Sequence, residues 1–333
     1  MNKKGENMNL VKKSFILLIA AAAICLCSCA TQVKVVVDRP AELNMNGANS
    51  IAILPIQANE PEKTETINFL GFFSITRKTS TPSTREQLAD YLTNSLTTKL
   101  LSTSYYKVVD SAMVESALKA GNKPPVDVYL TGSINQFNTK VSSEVIESED
   151  GSTSIYYKRT ADISVNYRII DATTGAIVAM RKADYSRTSS SDTDEYKLPS
   201  AYDLLTRELD GLASKIMKEV QPYQETMYLS LLKDKTKDPE FAEADQYAKN
   251  GAIQLSYEKF QAIYDKTGYY EAGYNAAILL QALGRLEDAR DAMQALVAKT
   301  GDKKAINALT AINREISSAE KFKKQQADKA QKN

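Results

Sequence analysis

The position of the cysteines constrains this chain more than any other feature. There are three, Cys25, Cys27 and Cys29, all at the foot of one apolar run near the N-terminus. None follows, so the remaining chain must hold its fold without an internal disulfide. The apolar run, Ser14–Leu26, is 13 residues long and carries no charge. A helix that spans a bilayer needs about 20 apolar residues. The shorter run suits the core of an export signal. Lys3, Lys4, Lys12 and Lys13, set against Glu6, supply the positive flank that such a signal requires. A retained signal anchor is the less favoured alternative.

Leu26-Cys27-Ser28-Cys29 resembles the bacterial lipobox, in which leucine stands three places before the acylated cysteine and a small residue stands just before it. Cys25 and Cys27 follow Ile24 and Leu26 and lack that small neighbour. The resemblance implies that residues 1–28 are a lipoprotein signal peptide. It also implies lipidation of Cys29 by a diacylglycerol thioether and an N-acyl chain such as palmitate. Two or more acyl chains anchor a protein stably, whereas one does so only marginally. Ala30 stands where aspartate marks inner-membrane retention in enteric-type bacteria, so the expected location is the outer membrane, facing the periplasm.

Composition limits the chemistry. The sequence has no histidine and no tryptophan, and 42 basic residues balance 41 acidic ones. That balance gives no reason to expect a nucleic acid partner. Without histidine or a free thiol beyond the lipidated cysteine, zinc sites on nitrogen and sulfur ligands are excluded, as are Ser-His and Cys-His nucleophiles. No Gly-rich phosphate loop and no G-x-S-x-G elbow occurs. The expectation is a non-enzymatic protein with no cofactor, no metal and no catalytic residues.

Beyond the signal the chain suffices for about two domains. Residues 29–47 read as a lipidated tether, with Val33–Val37 as an edge strand at most, since Pro40 follows. Residues 48–222 read as one α/β domain. Ser50–Ile56 is a short apolar run, as expected of a strand buried on both faces. Residues 57–82 are Thr-rich and polar around one apolar island at Phe69, Phe72 and Phe73. The island is either a loop tucked onto the core or an exposed patch for a partner. Ser83 and Glu86 form a capping-box pattern, and Leu88, Leu92, Leu96 and Leu100 line one face of the helix that follows. A short strand at Tyr105–Val109 and a helix at Ser111–Ala120 come next. Val126–Val141, Ala161–Ile169 and Ala176–Tyr185 alternate with period two, which predicts antiparallel strands. The Ser- and Asp-rich residues 186–199 read as a loop, and a last helix covers Ser200–Val220.

At this point the pattern resembles the curli-secretion lipoprotein (CsgG) family and its relatives, the LpoB-like activators and TolB N-terminal-like domains. The residues that carry the likeness are IAILPI, YLTGSI and RIIDATTGAIV, within residues 48–220. It implies an anticodon-binding-like α/β sandwich that binds envelope proteins and brings no catalytic residues. The alternative it implies is an oligomeric outer-membrane secretion channel built from paired hairpins. The hairpin at 139–158 begins an apolar parity at Val141 and Val145, but Glu147 and Glu149 follow on it. The channel is therefore disfavoured, and that hairpin is expected to stand in solvent.

Residues 223–318 show a repeat. Gly251 and Gly284 are 33 residues apart, as are Lys266-Thr267-Gly268 and Lys299-Thr300-Gly301. This period resembles tetratricopeptide repeats and implies an all-α helical domain. The expected fold class is thus α+β, an α/β sandwich followed by helical repeats. Residues 223–235 are expected to cap one end of the repeats and Ala305–Ile316 the other. Residues 319–333 read as a polar, frayed and solvated tail. The candidate partner contacts are Phe69, Phe72 and Phe73 in the first domain and Tyr247, Tyr274 and Asn275 in the second. The expected partners are envelope proteins, the membrane through the lipid, and a second copy if the chain assembles as a homo-oligomer.

Overall fold

The computed structural model describes residues 30–59, 64–69, 73–78 and 83–332, with the side chains of 64–69 and 73–78 outside the description. In chain order the strands are β1 (Gln32–Arg39), β2 (Ser50–Ile53), β3 (Thr64–Phe69), β4 (Phe73–Lys78), β5 (Lys107–Val108), β6 (Val128–Glu147), β7 (Thr153–Asp171), β8 (Ile177–Thr188) and β9 (Tyr223–Ser230). The helices are α1 (Thr84–Leu101), α2 (Ser111–Lys119), α3 (Ala201–Val220), α4 (Pro239–Lys249), α5 (Ile253–Thr267), α6 (Tyr270–Ala282), α7 (Leu286–Thr300) and α8 (Lys303–Lys332). The chain is α+β, with a helical C-terminal region, and it divides into two compact units. One holds residues 40–223 with 321–332, the other residues 30–39 with 224–320.

The first unit is built on a five-stranded sheet ordered β5-β2-β6-β7-β8. β2 runs parallel to β5 and β6, and β6, β7 and β8 are antiparallel. Period-two alternation sends Ile51, Leu130, Ile134, Val165 and Ile169 to one face, where they pack with α1 and α3. Both of those helices begin with a complete capping box, Ser83 with Glu86 and Ser200 with Asp203. Each box satisfies backbone N–H groups that have no partner inside the helix. Leu88, Leu92, Leu96 and Leu100 of α1 are all buried, as their spacing predicts. Ala52 and Leu54, of opposite parity in β2, meet Val114 of α2 on the other face. Residues 57–82, expected as a loop, contain the antiparallel hairpin β3–β4. Its register sets Ile67 opposite Ile75 and Phe69 opposite Phe73, a pairing that a search for a continuous apolar run does not reveal.

The second unit packs α4–α7 and the first part of α8 around Phe260, Ala276, Ala277, Leu280, Met293 and Leu296. The edge strand allowed at Val33–Val37 is the longer strand Gln32–Arg39, paired with β9, and one expectation fails here. Residues 223–230, expected in a helical cap, are that partner strand. Backbone contacts join Leu231 to Thr31, and a side-chain bond joins Gln224 to Asp38, so the two strands run antiparallel. Val33 is buried and Val35 packs beside it, while Lys34 and Val36 are exposed. At the end of β1 the Arg39 guanidinium meets both oxygens of Glu315, at 2.7 and 3.1 Å, and Glu225 at 2.7 Å.

Candidate functional site

The helical unit places an open groove of about 380 Å³ along α4 and α5, lined by Glu240, Tyr247, Leu255, Glu258, Lys259 and Ile263 among others. Its geometry follows from the turn between the helices. Asn250 caps α4, and Gly251 takes φ +78°, a left-handed value that glycine adopts without steric cost. The returning helix approaches closely because Ser256, where alanine is usual for such a repeat, is fully buried. Its hydroxyl donates to the Ala244 carbonyl at 2.7 Å. Phe241 and Phe260 meet edge to face at 4.8 Å beneath the groove.

The rim is charged and internally paired. Lys259 bonds Glu243 at 2.7 Å, and the Tyr247 hydroxyl donates to the same carboxylate at 3.2 Å. Those bonds hold the Glu243 carboxyl below its ordinary range, with the Lys259 bond the largest cause. Leu255, which lines the same groove, is 50% exposed, an apolar side chain presented beside a polar rim.

The six residues expected to contact partners are not gathered in one place. Tyr247 lines the groove. Tyr274 is half-buried against the helical core, and its hydroxyl pKa is raised by burial and then by Asp302. Asn275 is a correction. It is fully buried, and its amide accepts from the Leu232 N–H at 2.6 Å and donates to the Leu232 carbonyl at 2.9 Å. Both ends of its carboxamide are committed to fixing the chain as it leaves β9, so it is not a surface contact. Phe69 and Phe73 are register partners in β3 and β4. Phe72 and Cys29 lie outside the described residues.

The hairpin expected at 139–158 is the outer part of a longer β6–β7 ribbon, which pairs from Val128 opposite Asp171 to Glu147 opposite Thr153. Past Tyr157, which still pairs with Asp192, it leaves the sheet as a two-stranded arm. Val145 faces Ile155 across the strands, and they are 64% and 46% exposed. At its tip Asp150 accepts from the Ser152 N–H and hydroxyl, closing the turn at Gly151. Among the described residues no cluster of His, Cys, Asp or Glu is placed to hold a metal ion. None of the described helices is long and apolar enough to cross a membrane.

No family model matches the chain, and no curated protein does. Among solved structures, it is similar to a DUF330 protein from Xanthomonas campestris at 12% identity and a TM-score of 0.30, covering 51% of this chain and 81% of that one. A lipoprotein from Neisseria meningitidis aligns at 14% identity and a TM-score of 0.28, over 50% of this chain and 97% of that one. A minor lipoprotein from Acinetobacter baumannii aligns at 10% and 0.26, over 52% and 91%. Scores this low carry no weight for function.

Proposed function

We propose that this chain is a lipid-anchored envelope protein, held through Cys29 at the outer membrane on its periplasmic side, that acts as a non-enzymatic protein-binding or assembly factor. In this reading the unit built on β2 and β5–β8 is an anticodon-binding-like sandwich of the curli-secretion lipoprotein type, and the helical unit is a tetratricopeptide-like pair. The observation that carries it is the α4–α5 groove, lined by half-exposed Leu255 together with Tyr247 and with Lys259, which is paired to Glu243. An apolar side chain ringed by polar groups is the usual anatomy of a protein-binding patch. The test is a photo-crosslinking amino acid placed at Leu255 in the native cell. A discrete protein adduct is expected there and not from Glu287 on α7. Absence of any adduct at Leu255 overturns the reading.

The β6–β7 arm favours a second reading, a homo-oligomeric secretion channel, because Val145, Ile146 and Ile155 are exposed on a ribbon that has left its sheet. Glu147 and Glu149 near its tip weigh against insertion, since charge on a lipid-facing strand is costly. Detergent-extracted protein that is monomeric in negative-stain images excludes the channel.

A further inference from the structure

The five-stranded sheet ends on one side at β8, a strand of 12 residues. At about 3.4 Å per residue this edge is about 40 Å long. Sheets usually shorten, bulge or cover an edge of that kind, because its unpaired N–H and C=O groups invite another strand. The opposite edge obeys the rule, since β5 is only two residues long. The direction of the edge groups in β8 follows from one bond. The Ser189 N–H donates to the Arg159 carbonyl at 2.8 Å, and these two residues continue the register that sets Ala161 opposite Arg187 and Val165 opposite Ala183. The odd-numbered residues from Ala179 to Arg187 therefore bond to β7, and Met180, Lys182, Asp184 and Ser186 turn their backbone groups to the open edge. Among the described residues no other backbone group meets them there.

The side chains on this edge are complementary to themselves. Lys182 and Asp184 stand two residues apart on one face, both largely exposed, and pair with each other at 3.0 Å. Two copies of β8 laid antiparallel about a two-fold axis at Ala183 set Lys182 of each copy opposite Asp184 of the other. The closely spaced position on the axis, which is not hydrogen-bonded, falls to Ala183, whose side chain is small enough to meet its own copy. Met180 then lies opposite Ser186, and the edge groups form about eight backbone hydrogen bonds, two for each hydrogen-bonded pair. Sliding the register by two residues sets Lys182 against its own copy in one direction and Asp184 against its own copy in the other. Like charges directly opposite are destabilising, so this one register is selected. We propose that β8 is a homodimer interface, which joins two copies of this chain edge to edge into one continuous sheet about a two-fold axis at Ala183. The partner is a second copy rather than a foreign strand because the edge carries its own complement. The α4–α5 groove plays no part in this contact, so either assignment can fail without the other.

The test uses the full chain extracted in detergent. Sedimentation velocity should show a dimer that dissociates on dilution. Lys182→Asp should weaken that dimer about tenfold, because two attractive pairs become repulsive, and Asp184→Lys should do the same. The double variant Lys182→Asp/Asp184→Lys restores opposite charges in the same register and should recover the wild-type dissociation constant. Mild oxidation supplies the second readout. Ala183→Cys should give a disulfide-linked dimer, since its two Cα atoms would lie about 4.5 Å apart across the axis, within disulfide reach. Met180→Cys should not, because it would stand about 20 Å along the strand from its own copy. A monomer at every concentration, single charge reversals that leave the dimer unchanged, or a double variant no tighter than the single ones overturns the proposal. Equal crosslinking from Met180→Cys and Ala183→Cys overturns it as well.

Discussion

The start of β2 is organised by one carboxylate. Asp127 accepts from the backbone N–H groups of Asn49 and Ser50 and from the Ser50 hydroxyl, at 2.8 to 2.9 Å. Burial alone would raise its pKa. The Asn49 and Ser50 bonds outweigh burial, Lys332 adds a smaller pull, and the pKa lies below its ordinary 3.8. A depressed carboxyl pKa stabilises the fold above the unfolded value, near about pH 4, and the contribution is lost as pH falls through the folded value. Asp127→Asn should therefore lower stability at neutral pH by about 1.5–3 kcal/mol, the usual worth of hydrogen bonds to a charged group. It should also flatten the acid limb below about pH 4. Urea melts at pH 7 and pH 3 check both, and an equal loss at the two values refutes the assignment. Gly273 is a second such residue. A Cβ there would stand 2.6 Å from the Tyr264 ring, which is held against the core. Replacing a mid-helix glycine by alanine gains up to about 1 kcal/mol of helix propensity, and overpacking costs about 1–3 kcal/mol. Gly273→Ala is therefore expected to lower the melting temperature.

Among the elements, those specified by neighbours in sequence were legible and those specified by distant partners were not. Ser83 and Glu86, with leucines at every fourth place, describe α1 completely, because a capping box and an apolar face are local features. β9 reads Tyr-Gln-Glu-Thr-Met-Tyr-Leu-Ser, and its inward residues Met227 and Leu229 acquire meaning only beside β1, almost two hundred residues earlier. Asn275 was read as a repeat surface residue for the same reason, since nothing nearby in sequence indicates that its partner is Leu232. The end of α8 is the extreme case. Its contacts are one amide and one ammonium, and neither leaves a hydrophobic period to detect. The β6–β7 arm was legible as a solvent-exposed hairpin, because Glu147 and Glu149 interrupt its apolar parity, but its full length was not, because that depends on where the sheet beneath it ends. Val145→Thr with Ile155→Thr tests that placement. Both side chains are largely in solvent, so thermal stability should change by no more than about 0.5 kcal/mol. A larger loss would mean that the arm is packed rather than free. If the arm is a partner contact, crosslinking from it should weaken at unchanged stability.

For the whole molecule, the anchor and the two units make separable predictions. If Cys29 carries the lipid, as proposed, Cys29→Ala should abolish incorporation of labelled palmitate. Persistent labelling of that variant rules out Cys29 as the lipid site. The helical unit rests on an ion pair that closes its N-terminal strand. Arg39 is 13% exposed and Glu315 14%, and the guanidinium reaches both carboxylate oxygens as well as Glu225 and the Met227 sulfur. Removing one partner of a pair so shielded leaves a charge out of water without compensation, which costs about 3–5 kcal/mol. Glu225 is 44% exposed and so contributes less, as surface pairs do. Arg39→Ala should therefore accelerate hydrogen exchange in 30–39 and 224–320, most strongly in β1 and β9, whose pairing ends at this residue. Asp127→Asn should accelerate exchange in 40–223 instead. Each substitution acts on contacts within one unit, so the two patterns should not overlap if the units are the cooperative blocks of unfolding. Exchange that rises uniformly along the chain in either variant would show that the two units unfold as one.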